Sequence, residues 1–365
     1  MKILEIIPQL SSGGAERFVV DLCNELSKNN EVTLAVFYNL DEYGFYSNEL
    51  LESVRLISLN KQLGFSPLFF NKIYRIIGEL RPDIVHIHLS AITYVCPSVF
   101  LYRKAKYYMT IHNDAEKEAD GRLGILIRRF FFRNNKITPV TISVQSLNSF
   151  VKCYGVQAPM IFNGRKINVK SAVPNEVIEE FKQFKTTPLT RVIVNVARMN
   201  TVKRQPLIAK VVKRLYEEGE DFSLLMIGHH RESMILNEVN YIKSSNLFIL
   251  GERPNPLDFL RLADAFCLAS LYEGMPISLI EALGVGAVPI CTPVGGIVDV
   301  IKDGENGFLA SDLSEESVYN AFKRFLHTSP EEMQNIIDNV IKSYAPFTMS
   351  ECASRYLELF TGKAI

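Results

Sequence analysis

The sequence predicts an α/β protein of two doubly wound domains, each a parallel sheet covered by helices on both faces. A chain of 365 residues with 47% hydrophobic content is too long for one ordinary core. Short β-rich runs alternate with amphipathic stretches along the whole chain, the rhythm of repeated βαβ units. That rhythm breaks once, near the middle.

In order, KILEIIP (2–8), VTLAVFY (32–38), DIVHIHL (83–89), YYMTIH (107–112) and TPVTIS (138–143) read as the strands of the first domain. Their nearly continuous apolar character suits strands buried on both faces. Phe18, Leu22 and Leu26 recur at helical spacing after the first of them. Gly13 and Gly14, in SSGGAER, lie where that strand turns into that helix, so their amides can approach an anionic ligand with no Cβ in the way. The segment matches neither the dinucleotide fingerprint nor the P-loop, so no nicotinamide or ATP site is read from it.

Between about 165 and 190 the chain loses strand rhythm and gains polar residues and two prolines, which marks a linker. The boundaries read as a first domain at 1–168, a linker at 169–190, a second domain at 191–345 and a closing segment at 346–365. The second domain repeats the pattern with RVIVNVA (191–197), FSLLMIG (222–228), LFILG (247–251), AFCLAS (265–270) and AVPICT (287–292).

The 40 Lys+Arg balance the 40 Asp+Glu, which gives no reason to expect a nucleic-acid partner. The distribution is uneven, with 21 basic against 15 acidic residues in 1–170. Six cysteines are scattered without a CxxC pair, as suits reduced core thiols in the cytosol. The start MKILEIIPQL has no secretory pattern, and no apolar run reaches the ~18 residues needed to cross a bilayer. A cytoplasmic protein is expected, at most peripheral to a membrane.

Ligands of open α/β sheets bind beyond the carboxyl ends of the strands, so a cleft between two such domains is the default site. Glu273 stands just past the strand AFCLAS, and Pro276 fits the first turn of the helix that follows. Glu281 lies eight positions on, at most about 12 Å away along that helix. Ionised carboxylates only accept hydrogen bonds, so such a pair suits the hydroxyls of a sugar and a ribose. Arg198 and Lys203 follow the first strand of the second domain. Lys203 opens a helix, where a cation opposes the dipole and a bound phosphate would relieve the conflict. His86 and His88 share one strand face, as core histidines or as cleft residues. His229 and His230 lack enough further ligands at suitable spacing for a metal.

In 103–136, nine basic residues meet four acidic ones, and Ile125, Leu126, Ile127, Phe130, Phe131 and Phe132 interleave with Arg128, Arg129 and Arg133. Such a helix fits an anionic membrane surface, and equally a helix packed on the sheet with a solvated basic edge.

The segment EGMPISLIEALGVGAVP with its E-x7-E pair resembles the retaining family 4 glycosyltransferases of GT-B fold, two Rossmann-like domains facing each other across a cleft. SSGGAERFVVDL, YYMTIHND, FNGRKIN, VARMNTVKRQPL and MIGHH follow the family order, so the resemblance spans nearly the whole chain. It implies a nucleotide-sugar donor, with UDP the expected nucleotide, held by Gly13, Gly14, Arg198, Lys203, Gly228, Glu273, Gly274, Met275, Ile277 and Glu281. It further implies His112 at the transferred sugar, Arg198 and Lys203 clamping the diphosphate without a metal or other cofactor, and a closing segment that crosses back to the first domain. The acceptor it implies is a saccharide or lipid-linked saccharide of cell-surface polysaccharide synthesis. Pro276 stands where relatives carry a glycine and cannot donate an amide. An epimerase or phosphorylase of the same plan, or a non-enzymatic sugar-binding protein, is the alternative.

Overall fold

The computed structural model describes every residue except Asp120, Val169, Lys170, Arg231, Ala364 and Ile365. The chain divides into two compact units, one formed by Met1–Lys166 together with the residues from Pro346 onward, the other by Ile167–Ala345.

The first unit carries β1 (Lys2–Ile7), β2 (Glu31–Val36), β3 (Val54–Ser58), β4 (Ile84–His88), β5 (Lys106–Ile111) and β6 (Thr138–Thr141). They form one parallel sheet in the order β3-β2-β1-β4-β5-β6. Strand β3 escapes a reading of the sequence, because it is an edge strand whose VRLIS is mostly part-exposed and interrupted by a charge. Side chains alternate across a strand. Leu4, Ile6, Val85, Ile87, Tyr107, Met109 and Ile111 therefore join the apolar core on one face. Glu5, His86, His88 and Thr110 fall on the other, all fully buried.

That second face is covered by the helices Gly14–Leu26 and Met349–Thr361, whose Phe18 and Tyr356 rings lie 6.2 Å apart. The latter helix starts where the Thr348 hydroxyl accepts from Glu351 N–H and stops at Gly362, left-handed at φ 78°. Its buried face places the C-terminal segment in the first unit.

The second unit carries β7 (Arg191–Val196), β8 (Phe222–Ile227), β9 (Leu247–Gly251), β10 (Ala265–Leu268), β11 (Val288–Cys291) and β12 (Phe308–Leu309), in the order β12-β11-β10-β7-β8-β9. Two-residue β12 is too short to leave a sequence signal. Each unit thus runs its first three strands outward one way and its next three the other, and the order reverses at β1/β4 and at β7/β10. Such a reversal opens a crevice at the strand ends, because the helices leaving the two strands pass to opposite faces.

The expected linker needs correction. Its start at 169 lies outside the described residues, but the helix Asn175–Lys182 within it buries Val177 and Phe181, and Phe181 packs 6.5 Å from Phe259. An amphipathic helix with an apolar stripe goes to the nearest core, and this one belongs to the second unit.

Candidate active site

In the second unit the loops after β7 and β10 lie at the reversal of strand order, and Arg198, Lys203, Glu273, Gly274 and Met275 stand on them. Arg198 is exposed, and its carbonyl accepts from the Gln205 amide at 3.1 Å, which fixes the loop beneath it. Met199 N–H donates to His229 O at 2.9 Å and joins this loop to the one after β8. Gly228 makes that approach possible. At φ 150° a Cβ there would sit 2.0 Å from Ala197 O, so only glycine fits. Leu271 N–H donates to Val202 O at 2.9 Å and binds the β7 loop to the β10 loop.

Those ties bring Lys203 and Glu273 together across 70 positions of sequence. The Lys203 ammonium pairs with Glu273 Oε1, and Ser270 Oγ donates to the same oxygen at 2.5 Å. The sequence assigned the two side chains separate roles, cation at the diphosphate and acceptor at the sugar; here they neutralise one another. Oε2 takes neither of these bonds and is the oxygen that can accept from a hydroxyl. A phosphate arriving at Lys203 would exchange one anion for another around the same ammonium.

Residues the sequence reading missed hold this acid in place. Gly295, at φ 59°, lies so close that a Cβ would be 2.2 Å from Glu273 O. Gly296 N–H donates to Gly274 O at 2.6 Å, and Thr292 Oγ1 donates to Ser270 O at 2.8 Å. The available signal was the pair Gly295–Gly296 just past AVPICT, a strand-exit glycine pair like Gly13 and Gly14. Gly274, Met275 and Ile277 are buried, and Glu281 lies on the helix Ile277–Val285 with only 6% of its surface exposed.

In the first unit, Gly14 is exposed at the start of its helix, whereas Gly13 is buried. The space a Cβ would need at Gly13 is taken by the Glu16 carboxylate, 2.2 Å from it. Glu16 also accepts from Ser11 Oγ at 3.0 Å. An acid thus already lies against Gly13, and Gly14 is the better placed of the two for an anion.

His112 follows β5 and is 6% exposed. Its backbone N–H donates to Glu118 Oε2 at 2.7 Å, its Nε2 lies 3.0 Å from His88 Nδ1, and the Phe18 ring meets it edge-on at 5.7 Å. Burial, then the neighbouring charges of His88 and His86, push its pKa well below the ordinary value, so the ring is neutral. His88 Nε2 bonds Glu5 Oε2 at 2.8 Å. His86 Nε2 bonds Thr110 Oγ1 at 2.8 Å, and Thr110 in turn meets Tyr356 OH at 2.7 Å. Both strand histidines are therefore core residues with partners, at 0% exposure. Glu5, His86 and His88 also bring one potential ligand atom each within 4.8 Å of one another. The warning sign for Glu5 was an acid inside the apolar run KILEII, since a fully buried carboxylate must find partners.

The helix Arg122–Arg133 departs from a core-facing pattern. Leu123, Leu126, Ile127 and Phe130, spaced as one helical stripe, are 71%, 60%, 40% and 51% exposed. Phe100 and Leu101 are also exposed, and the Phe100 ring lies 6.3 Å from Phe130. Arg128, by contrast, is buried beside Glu118 at 3.6 Å, and Arg129 donates to Cys153 O at 2.5 Å. The exposed cations of 103–136 are Arg103, Lys104, Lys106, Lys117, Arg122, Arg133 and Lys136.

Comparison with known proteins settles the family. The model of "Glycosyl transferases group 1" matches residues 177–343, and that of "Glycosyltransferase Family 4" matches 12–164. This chain belongs to the family 4 glycosyltransferases. An uncharacterized glycosyltransferase of Methanocaldococcus jannaschii is 24% identical over 313 residues, 74% of this chain and 73% of its own. A Campylobacter jejuni alpha-1,4-N-acetyl-D-galactosaminyltransferase, named for an undecaprenol-diphosphate-linked substrate, is 23% identical over 370 residues, 98% of each chain. In three dimensions this glycosyltransferase is similar to Anabaena HepE solved with UDP and glucose, with TM-score 0.84, 16% identity, and 99% and 100% of the two chains covered. That likeness shows the GT-B fold. Among the described residues no helix is long and apolar enough to cross a membrane.

Proposed function

We propose that this glycosyltransferase moves a sugar from a UDP-sugar to a lipid-linked saccharide, with retention of anomeric configuration and without a metal. The observation that carries the reading is the placement of Arg198, Lys203 and Glu273 on the two loops at the β7/β10 reversal. Arg198 and Lys203 take the diphosphate and stabilise the charge that grows on it as the glycosidic bond breaks, the work a divalent ion would otherwise do. Glu273 accepts from donor-sugar hydroxyls, Glu281 from the ribose, and Gly14 offers its amide to the diphosphate. His112 contacts the transferred sugar, and the departing phosphate oxygen takes the acceptor proton, so no side chain need be a nucleophile. UDP is favoured because the Anabaena neighbour binds it, and a lipid-linked acceptor because the Campylobacter relative is named for one.

A lipid-linked acceptor lies at a membrane, and the exposed stripe of Leu123, Leu126, Ile127 and Phe130 with the exposed cations of 103–136 supports docking on anionic lipid at the cytoplasmic face. A thermal-shift panel of nucleotide diphosphates and their sugars tests the donor, because a ligand that binds only the folded protein raises its melting temperature. UDP and one UDP-sugar should give the largest shifts, unchanged by EDTA. A panel with no shift, or one that appears only with a divalent cation, overturns the donor reading.

A further inference from the structure

We propose that Glu5 and His88 are positioning residues that fix the tautomer of His112, presenting it to the transferred sugar as a hydrogen-bond acceptor only. The proposal rests on the reading that His112 faces that sugar. It starts from a row of polar groups across the three central strands of the first unit, β1, β4 and β5, on the face covered by Phe18 and Tyr356.

Glu5 is fully buried, and desolvation alone would raise its carboxyl. His86 and His88 outweigh that cost and hold it as a carboxylate, which can only accept. His88 Nε2, 2.8 Å from Glu5 Oε2, therefore carries a proton. Burial keeps His88 neutral, so its Nδ1 has the lone pair and accepts. The partner at that nitrogen is His112 Nε2 at 3.0 Å, which must in turn carry its own proton. The neutral His112 ring is left with its lone pair on Nδ1. One buried carboxylate thus sets the direction of two successive hydrogen bonds, and the ring at their end offers an acceptor, selecting a hydroxyl or N–H on the sugar in place of a bare oxygen.

A metal ion is the rival occupant of Glu5, His86 and His88. The separations argue for protons: Oε2 is 2.8 Å from His88 Nε2 and 2.9 Å from His86 Nδ1. Two ligands of one tetrahedral zinc, each about 2 Å from it, would lie more than 3 Å apart.

The test uses the full chain labelled with 15N-histidine. Long-range proton–nitrogen spectra of the unaltered protein should show His88 and His112 both neutral and both protonated on Nε2. Glu5→Ala should leave mixed tautomers at both rings and lower kcat about tenfold to a hundredfold, as loss of a group that orients a working side chain does. UDP affinity by calorimetry should stay within about twofold, since Arg198, Lys203 and Glu281, to which the reading gives the diphosphate and the ribose, are on the second unit and Glu5 touches none of them. Glu5→Gln, which keeps an acceptor oxygen, should retain the His112 tautomer and restore part of the rate. His112 protonated on Nδ1 or charged in the unaltered protein overturns the proposal, as does Glu5→Ala with unchanged tautomers, or stoichiometric metal in the purified enzyme. The unaltered spectrum and Glu5→Gln decide the matter if Glu5→Ala does not fold. His112→Ala separates this from the reading beneath it: full activity there would remove His112 from the sugar site while the spectra still judge the relay.

Discussion

Acid should loosen the first unit well before it titrates ordinary carboxylates. Burial, with the charge of His86 adding to it and Glu5 opposing, holds His88 at about 4 against an ordinary 6.5. A histidine with a lowered folded pKa binds fewer protons folded than unfolded between those two values, so stability falls as pH drops through that window and rises with pH within it. Two and a half pH units at 1.36 kcal/mol each, less the rounding at the ends, put the loss at about 2 kcal/mol by pH 5 and about 3 kcal/mol by pH 4. His112, also held well below its ordinary value, adds to the loss in the same direction. Glu5 extends it at lower pH, because a carboxyl held at about 2 gives stability that is lost from about 4.5 downward. Hydrogen exchange of the β4 and β5 peptides in a urea series at pH 7.5, 6, 5 and 4 reads the first unit alone. The midpoint should fall steadily between pH 6.5 and 4, and the fall should shrink in His88→Gln. A flat midpoint from pH 7.5 to 4.5, or an equal fall in that variant, would refute the reasoning.

Glu281→Ala should weaken UDP binding by ~1–3 kcal/mol, the loss of charge-assisted hydrogen bonds to the ribose, measured by calorimetry; unchanged affinity in a folded variant removes Glu281 from the site. Arg198→Ala and Lys203→Ala should each cut turnover by roughly a hundredfold or more and spare the melting temperature of the second unit. Because Lys203 also pairs with Glu273, Lys203→Ala with Glu273→Gln should cost less than the two losses added, which a double-mutant cycle checks. Vesicles containing anionic lipid should sediment the protein at low salt and release it at high salt. Leu126→Ser with Phe130→Ser should abolish that binding, and Arg128→Glu is the wrong probe because Arg128 is buried beside Glu118.

The fold, and the strand-end positions of several candidate residues, were legible in the sequence for definite reasons. Strands covered by helices on both faces are mostly apolar, so ten of the twelve could be read as nearly continuous apolar runs. Edge strand β3 and two-residue β12 escaped because partial exposure and brevity erase that signal. Arg198, Lys203 and Glu273 could be named because each follows a strand of the second domain, where an α/β sheet places its ligands, and Gly228 through the family resemblance. Why that position is glycine shows only in the structure, where φ is 150° and a Cβ would meet Ala197 O.

What only the tertiary structure decided is which of these groups meet. Lys203 finds Glu273 because a Leu271-to-Val202 hydrogen bond joins two loops 69 positions apart. Arg128 proved buried and Leu126 exposed, the reverse of what their polarity suggests, because the turn that packs against Glu118 and Cys153 sets which side of the helix faces inward. Glu5, His88 and His112 form one hydrogen-bonded row because parallel strands set residues 83 and 24 positions apart side by side. Local sequence fixes what each residue can do at its place on a strand or turn; strand order and register determine its neighbours, and in a buried row of ionisable groups the neighbours decide the charge and where the proton sits.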